Sequence, residues 1–214
     1  MGSSLTLFII LKRNKHKRPS RCRFEFSGAF LLAAALFIYL DTENTLIWIG
    51  LAVCFHELGH CGAAVLAGGR VHCLRMTLAG GCIELDPGYP LSYAGEMAVV
   101  LAGPAANLVL SVLAARLAPW EESLYVLAGS SLVLGGFNLL PIYPLDGGRL
   151  VRLVLTAFFT PDRAVWVVQV CSLFCAAGLI TASGGTLAAS GQGSAAALWI
   201  GIWLLISGLS EKWV

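Results

Sequence analysis

The sequence predicts an all-α polytopic membrane protein of about six transmembrane helices, with a short membrane-associated β-hairpin between helices 2 and 3. Of its 214 residues, 57% are hydrophobic and only 12% are charged, so a soluble globule would lack the polar residues needed to cover its surface. Several apolar runs approach or exceed the roughly 20 residues that a helix needs to span a bilayer. Because these runs do not alternate between apolar and polar residues, an eight-stranded barrel is excluded.

Six apolar runs mark the predicted crossings. They lie at about 27–40, 46–68, 95–118, 123–145, 164–183 and 195–209. Ahead of the first run, residues 12–23 carry seven Lys or Arg residues, which places the N-terminus in the cytoplasm. Six crossings then return the C-terminus to the same side, and most of the remaining basic residues fall there, with only Arg116 outside. We expect no cleaved leader, because the opening apolar stretch precedes the basic cluster rather than following it.

The segment between the second and third runs reads RVHCLRMTLAGGCIELDPGYPLSY, residues 70–93. Apolar and polar residues alternate on either side of Ala79-Gly80-Gly81, which predicts a short hairpin, and Asp86-Pro87-Gly88 predicts the turn that ends it. Two interpretations of this hairpin stay open. Either a substrate peptide adds to its edge as one more strand, or it is a plain hairpin on the cytoplasmic surface.

The second apolar run contains the motif HELGH. On a helix, His56 and His60 lie one turn apart on the same face and can share one metal ion, while Glu57 lies beside them to handle a proton. This is the two-histidine half of a zinc hydrolase site. Ionisable side chains inside a membrane span are costly and usually functional, which favours the metal site over a pair of packed core histidines.

A catalytic zinc normally takes three protein ligands, so a third ligand is needed. The candidates are His72, Glu84, Asp86 and Asp146. Asp146 is favoured, because Pro141 and Pro144 interrupt the helix before it, and Gly147 and Gly148 free the backbone to turn a carboxylate toward a neighbouring helix. The competing interpretation of Asp146 is a cap for the following helix.

Two asparagines in apolar runs are also informative. Asn107 and Asn138 either tie helices together or point at a substrate's peptide group and its developing oxyanion, and the residues alone favour neither. Cys54 and Cys61 flank the histidines but are interpreted as packing residues. The seven cysteines of the chain do not indicate a disulfide framework.

Three motifs appear in order along the chain: HELGH, GPAAN and NLLPIYPLDGGR. Together they resemble the site-2 protease family of intramembrane zinc metalloproteases, whose motifs are HExxH, GPxxN and NxxPxxxLDG. The resemblance covers about residues 46–150. It is strongest to the stage IV sporulation protease branch, although the CBS domain that often follows the last helix in that branch is not expected here.

The resemblance implies a role for each motif residue. His56, His60 and Asp146 would bind one catalytic zinc ion, Glu57 would be the general base, and Asn107 and Asn138 would help to hold the substrate. It also implies hydrolysis of peptide bonds in or near transmembrane segments. The expected partners are a membrane-protein or membrane-associated peptide substrate, the lipid bilayer and a separate regulatory membrane protein, with no nucleic acid.

The predicted organisation is a single transmembrane metalloprotease domain over residues 1–214. It comprises a basic cytoplasmic segment at 1–26, a catalytic core at 46–150 and two C-terminal helices at 164–209. The main alternative function is a membrane metal-ion transporter or channel, since histidines and carboxylates inside a bundle also mark ion pathways. A pathway needs polar residues along its length, whereas those of this chain cluster at one depth, which favours the protease. A third alternative is a homologue without protease activity that only binds membrane partners. It is disfavoured because the expected metal ligands and the general base are all present in the sequence.

Overall fold

The computed structural model describes residues 23–28, 31–32, 35, 38–39, 41, 45–77, 80–86, 88–190 and 200–206. The elements, numbered in chain order, are β1 Arg23–Phe26, α1 Thr45–Leu66, β2 Val71–Thr77, β3 Gly80–Leu85, α2 Tyr93–Leu117, α3 Ser123–Asn138, α4 Asp146–Thr156 and α5 Pro161–Ser190. Residues 200–206 are also helical. The structure confirms the predicted fold class, a helical membrane protein with a β-hairpin between its second and third apolar runs. Half of the first predicted run lies outside the described residues, and only residues 200–206 of the sixth are described.

Three of the described helices are long and apolar enough to cross a membrane. They are Thr45–Leu66, Tyr93–Leu117 and Pro161–Thr186. Their outer faces carry large exposed apolar side chains, such as Leu66, which is 90% exposed, and Phe174, which is 76% exposed. Side chains of this kind match a lipid environment, and the protein is therefore placed in a membrane. The count of six crossings stays a prediction.

Contacts divide the chain into two compact units, Met1–Gly136 and Phe137–Val214. In the first unit, β2 and β3 form the predicted hairpin, and β1 pairs with β2 in parallel to give a three-stranded sheet in the order β1-β2-β3. Gly80 and Gly81, predicted in the turn, belong to β3 instead. Strand β1 was not predicted, because four alternating residues are a weak signal and the partner strand lies more than forty residues further along the chain.

The ends of the helices in the first unit follow from local chemistry. Helix α1 ends at Leu66, and Gly68 just beyond it has a φ of 88°, in the left-handed region, while the backbone N–H of Gly69 donates to the Ala64 carbonyl at 2.9 Å. This pattern is a Schellman cap, which satisfies a carbonyl at the end of the helix. Helix α2 begins after Ser92, whose hydroxyl accepts a hydrogen bond from the backbone N–H of Gly95 at 3.1 Å.

Helices α1 and α2 approach closely because small residues line their contact. The buried residues of α1 recur at every fourth position and lie on one face: Ala52, His56, His60 and Ala64. A Cβ on Gly59 would lie 2.6 Å from the Ala102 carbonyl oxygen, so the two backbones pack together there. Further along, the hairpin residues Leu74 and Ile83 pack on Ala64 and Val99.

The second unit has its own apolar core, formed by Ile142, Leu145, Ala176 and Leu204. The predicted run 123–145 is not one helix, because α3 ends at Asn138 and α4 begins at Asp146. The helix break predicted at Pro141 and Pro144 is therefore confirmed. Outside any helix, the backbone N–H of Tyr143 donates to the Ser172 hydroxyl at 2.9 Å, and that hydroxyl donates to the Val168 carbonyl at 2.7 Å.

Candidate metal centre

The two histidines of the HELGH motif lie on the buried face of α1. His56 is 5% exposed and His60 is 7% exposed, and their Nε2 atoms are 3.1 Å apart. The Nδ1 atom of His60 lies 2.7 Å from the Val99 carbonyl oxygen. A carbonyl can only accept, so Nδ1 carries the proton of the neutral ring and Nε2 keeps a lone pair for a metal. This backbone carbonyl was not predicted, because it carries no side-chain signal in the sequence.

Gly103 of α2 leaves the space that the His60 ring occupies. A Cβ built on Gly103 would overlap Nε2, Cε1 and Cδ2 of His60. The imidazole of His60, rather than the backbone of another helix, fills the space that a side chain at position 103 would occupy.

We expect Gly103→Ala to weaken metal binding by His60. Alanine favours a helix over glycine by about 1 kcal/mol, but overpacking against a ring that is hydrogen-bonded to the Val99 carbonyl costs about 1–3 kcal/mol. The net effect is a displaced His60. Zinc affinity, measured by competition with a chromophoric chelator, should fall about tenfold.

Gly62→Ala is the matched control for Gly103→Ala, because a Cβ at Gly62 meets nothing within 4 Å. It should keep zinc affinity and gain slightly in thermal stability. Equal zinc affinity in the two variants would show that the His60 ring has room to move.

Glu57, the second residue of the motif, is half-buried and lies against strand β3. A Cβ built on Gly81 would overlap its carboxyl carbon and Oε2 and come within 2.6 Å of its Oε1. The hairpin therefore runs directly beside the proposed base, and glycine is required in the strand for this approach. The sequence placed Gly81 in a turn, and only the contact reveals its relation to Glu57.

Gly81→Ala should move the Glu57 carboxylate without disturbing the candidate metal ligands. The carboxylate is the end of a flexible side chain, so it can rotate away and the fold should hold. A displacement of about 1 Å at a catalytic group can cost about 10²-fold in rate. We expect a loss of peptide cleavage of that size with an unchanged zinc content, measured on purified protein.

Gly129→Ala, at a helical position where a Cβ meets nothing within 4 Å, is the control for Gly81→Ala and should cleave at the normal rate. If the Gly81→Ala protein is fully active, the close contact between strand β3 and Glu57 is not needed for the function of Glu57.

Asp146 is the first residue of α4 and is 5% exposed. The N-cap position belongs to Leu145, so Asp146 is not the N-cap residue that the competing interpretation required.

Gly147 and Gly148 act differently from the prediction, since both are helical and a Cβ on either would overlap the backbone of residues 139–143. They permit close packing of the first turn of α4 rather than an unusual backbone turn. Arg149 lies 3.6 Å from the Asp146 carboxylate.

His56, His60 and Asp146 each offer one ligand atom, and these atoms lie within 4.8 Å of one another. They are the only such group of three in the part of the chain that the structure describes. Two nitrogens bound to one tetrahedral zinc at 2.0–2.1 Å would be about 3.3 Å apart, close to the observed 3.1 Å. The spacing of the two histidine nitrogens therefore fits one tetrahedral metal ion, and Asp146 offers a third ligand atom.

The remaining predicted residues do not belong to this group of three. His72, Glu84 and Asp86 are half-buried in or after the hairpin, and Asp86 accepts a hydrogen bond from the backbone N–H of Gly88 at 2.9 Å, as expected for the predicted turn. Asn138 is the last residue of α3 and is half-buried. Asn107 is fully buried, and its Nδ2 lies 3.2 Å from Nδ1 of His56.

Among the cysteines, Cys54, Cys171 and Cys175 carry free thiols.

Comparison with known proteins places this site in a family. The sequence profile of peptidase family M50 matches residues 44–118 and 114–179, a stretch that contains all three motifs. The chain belongs to peptidase family M50. Membership in this family supports a peptidase, and it does not support the metal-ion transporter that the sequence had left as the alternative.

The chain is also similar to curated proteins and to a solved structure. The chain is 29% identical over 146 residues to a zinc metalloprotease of Methanocaldococcus jannaschii, covering 62% of this chain and 42% of that protein. It is 31% identical over 129 residues to stage IV sporulation protein FB of Bacillus subtilis, covering 58% and 45%. The chain thus spans less than half the length of these curated relatives. Its fold matches the solved site-2 protease from M. jannaschii with a TM-score of 0.65 at 22% identity, over 86% of this chain and 88% of that one.

Proposed function

We propose that this M50 chain is an intramembrane zinc metalloprotease that hydrolyses peptide bonds in or near transmembrane segments of membrane proteins. The observation that carries the proposal is the buried group of His56, His60 and Asp146, whose ligand atoms lie within 4.8 Å of one another. Both histidines belong to a helix long and apolar enough to cross the membrane. A metal site inside such a helix suits substrates that are themselves embedded in lipid.

The three side chains would hold one catalytic zinc ion, with the histidines binding through Nε2 and Asp146 through a carboxylate oxygen. Three protein ligands leave a fourth tetrahedral position open, as in catalytic rather than structural zinc sites. When bound, zinc supplies a Lewis acid that polarises the scissile carbonyl and lowers the pKa of water to about 7.

Glu57 is proposed as the general base. It follows His56 directly on α1, so its side chain leaves the helix beside the ligand pair, and Gly81 keeps the strand backbone close to its carboxylate. Glu57 would take a proton from the attacking water and pass it to the leaving amine. The carboxylate would therefore move one proton across the site in each turnover.

Strand β3 is proposed to position the substrate. In the sheet order β1-β2-β3, one side of β3 has no strand partner within the described residues, and the same strand touches Glu57 through Gly81. An extended peptide that adds to this edge would present its backbone beside the base. A helical substrate must unwind first, so segments containing Gly or Pro are favoured. Asn138 is proposed to contact the substrate as well.

The remaining expectations on placement and partners complete the proposal. The chain would cross the cell membrane six times as a single metalloprotease domain, with both termini and the entrance to the site on the cytoplasmic side. The basic residues of segment 12–23 support that orientation. A separate membrane protein would regulate access to the site.

The proposal is tested by reconstituting the purified protein in liposomes with an epitope-tagged single-span peptide that carries a Gly-Pro pair near its cytoplasmic end. Cleavage should require bound zinc, stop when a chelator removes the metal and resume when zinc is restored. Zinc flux across the same liposomes is measured in parallel. Flux without cleavage, or a folded protein that binds no zinc, would overturn the proposal.

A further inference from the structure

Asn107 lies against the first metal-binding histidine, on the side of its ring away from His60. Its Nδ2 is 3.2 Å from Nδ1 of His56, although the two residues are 51 positions apart in the sequence. The side chain is 0% exposed, and its Oδ1 has no hydrogen-bond partner among the described residues. A buried amide oxygen without a hydrogen-bond partner destabilises the folded protein. Its presence therefore indicates that this oxygen has a function besides packing.

The hydrogen bonds around this amide form a directed chain. Because His60 donates from Nδ1 to the Val99 carbonyl at 2.7 Å, its Nε2 is an acceptor. A hydrogen bond across the 3.1 Å contact between the two Nε2 atoms then places the proton of His56 on Nε2. Nδ1 of His56 consequently accepts from the Asn107 amide.

A metal held by both Nε2 atoms requires the other tautomer of His56. Its proton must then reside on Nδ1, and that N–H needs an acceptor where the Asn107 Nδ2 now lies. Turning the amide by about 180° places Oδ1 in the same position, since the two ends of an amide are alike in size and opposite in hydrogen-bonding role. The oxygen without a partner is the group that this arrangement uses.

We propose that Asn107 is a positioning residue for the metal site: its amide turns to accept the Nδ1 proton of His56 and so holds that ring in the tautomer and orientation that bind zinc. This inference rests on the proposed function but assigns Asn107 to the metal ligand rather than to the substrate. The complete burial of the side chain supports the assignment, because a substrate-binding amide would have to be reachable.

The test compares two variants of nearly equal size. Asn107→Leu removes the acceptor, whereas Asn107→Asp keeps an oxygen facing His56 and removes only the donor. Ser111→Ala is the control, because Ser111 is also buried on α2, one turn further along, and donates to the Ala128 carbonyl away from the metal site. Zinc affinity is measured by competition with a chromophoric chelator, and the visible spectrum of the cobalt-substituted protein reports the ligand geometry.

We expect Asn107→Leu to weaken zinc binding about 10- to 100-fold and to alter the cobalt spectrum. Asn107→Asp and Ser111→Ala should stay near the wild-type affinity. If Asn107→Leu binds zinc as tightly as wild type, or if Asn107→Asp is as weak as Asn107→Leu, the acceptor role is refuted. Should Asn107→Leu fail to fold, the Asn107→Asp affinity decides alone, because loss of binding there contradicts the proposal and retention supports it.

Failure of this inference is distinguishable from failure of the proposed function. The wild-type protein serves as the reference in every measurement, so a wild type that binds no zinc refutes the protease itself. A wild type that binds zinc and cleaves, combined with an Asn107→Leu protein that binds zinc normally but cleaves poorly, would return Asn107 to a substrate-binding role.

Discussion

Replacing Glu57 with Gln is expected to lower the rate of peptide cleavage by about 10²–10⁴-fold while the protein still binds one zinc ion. Glutamine has nearly the same shape as glutamate, so it should lie against Gly81 in the same place. It cannot accept a proton, and the attacking water would lose its base. The effect should therefore appear in kcat, with little change in substrate affinity.

The measurement is cleavage of the tagged peptide at saturating concentration, with zinc content determined on the same preparation. Glu122→Gln is the matched control, because Glu122 is exposed in the connection between α2 and α3, and this variant should cleave normally. A Glu57→Gln protein that turns over substrate at the wild-type rate would remove Glu57 from the mechanism. The inactive variant would also serve to capture natural substrates for identification by mass spectrometry.

Asp146→Asn should abolish both zinc binding and cleavage. The amide keeps the shape of the carboxylate and an oxygen facing Arg149, so the first turn of α4 should remain folded. An amide is a poor ligand for zinc, and two histidines alone leave the ion without its third protein ligand. We expect zinc affinity to fall by more than about 100-fold, beyond the loss caused by removing a group that supports a ligand.

Zinc affinity and thermal stability are to be measured together on Asp146→Asn, since a lower affinity in a stably folded protein isolates the ligand effect. Asp162→Asn is the control, because Asp162 lies in the first turn of α5 as Asp146 does in α4, but it is exposed. Normal zinc binding by Asp146→Asn would exclude Asp146 as a ligand and return the choice to the hairpin candidates His72, Glu84 and Asp86.

Much of the fold could be predicted because it depends on local sequence. Composition and run length predicted membrane helices, and α1 and α2 begin and end within a few residues of the predicted bounds. The weaker predictions concern elements that depend on distant partners. Strand β1 exists as part of a sheet because β2 lies beside it, and its four residues carry too little pattern to indicate this alone. Helix α4 was absent from the predicted apolar runs because it is short and follows a proline-containing segment, and it was considered only in the competing interpretation of Asp146 as a helix cap.

The residues of the candidate site were predicted more completely than their arrangement. The motifs named His56, Glu57, His60 and Asp146. They did not indicate that the Val99 carbonyl orients His60, that Gly81 touches Glu57, or that the Asn107 amide faces His56. Each of these contacts joins residues from different elements, and no spacing rule within one element can predict them.

The sequence alone determined that His56 and His60 lie on the same face of a helix, because residues four apart on a helix share a face whatever surrounds them. The high proportion of apolar residues likewise excluded a soluble fold on composition alone. The roles of two glycines and one asparagine around that pair depended on how the segments pack. Packing depends on side-chain volume and hydrogen-bond geometry between distant segments, and a linear sequence does not display those distances.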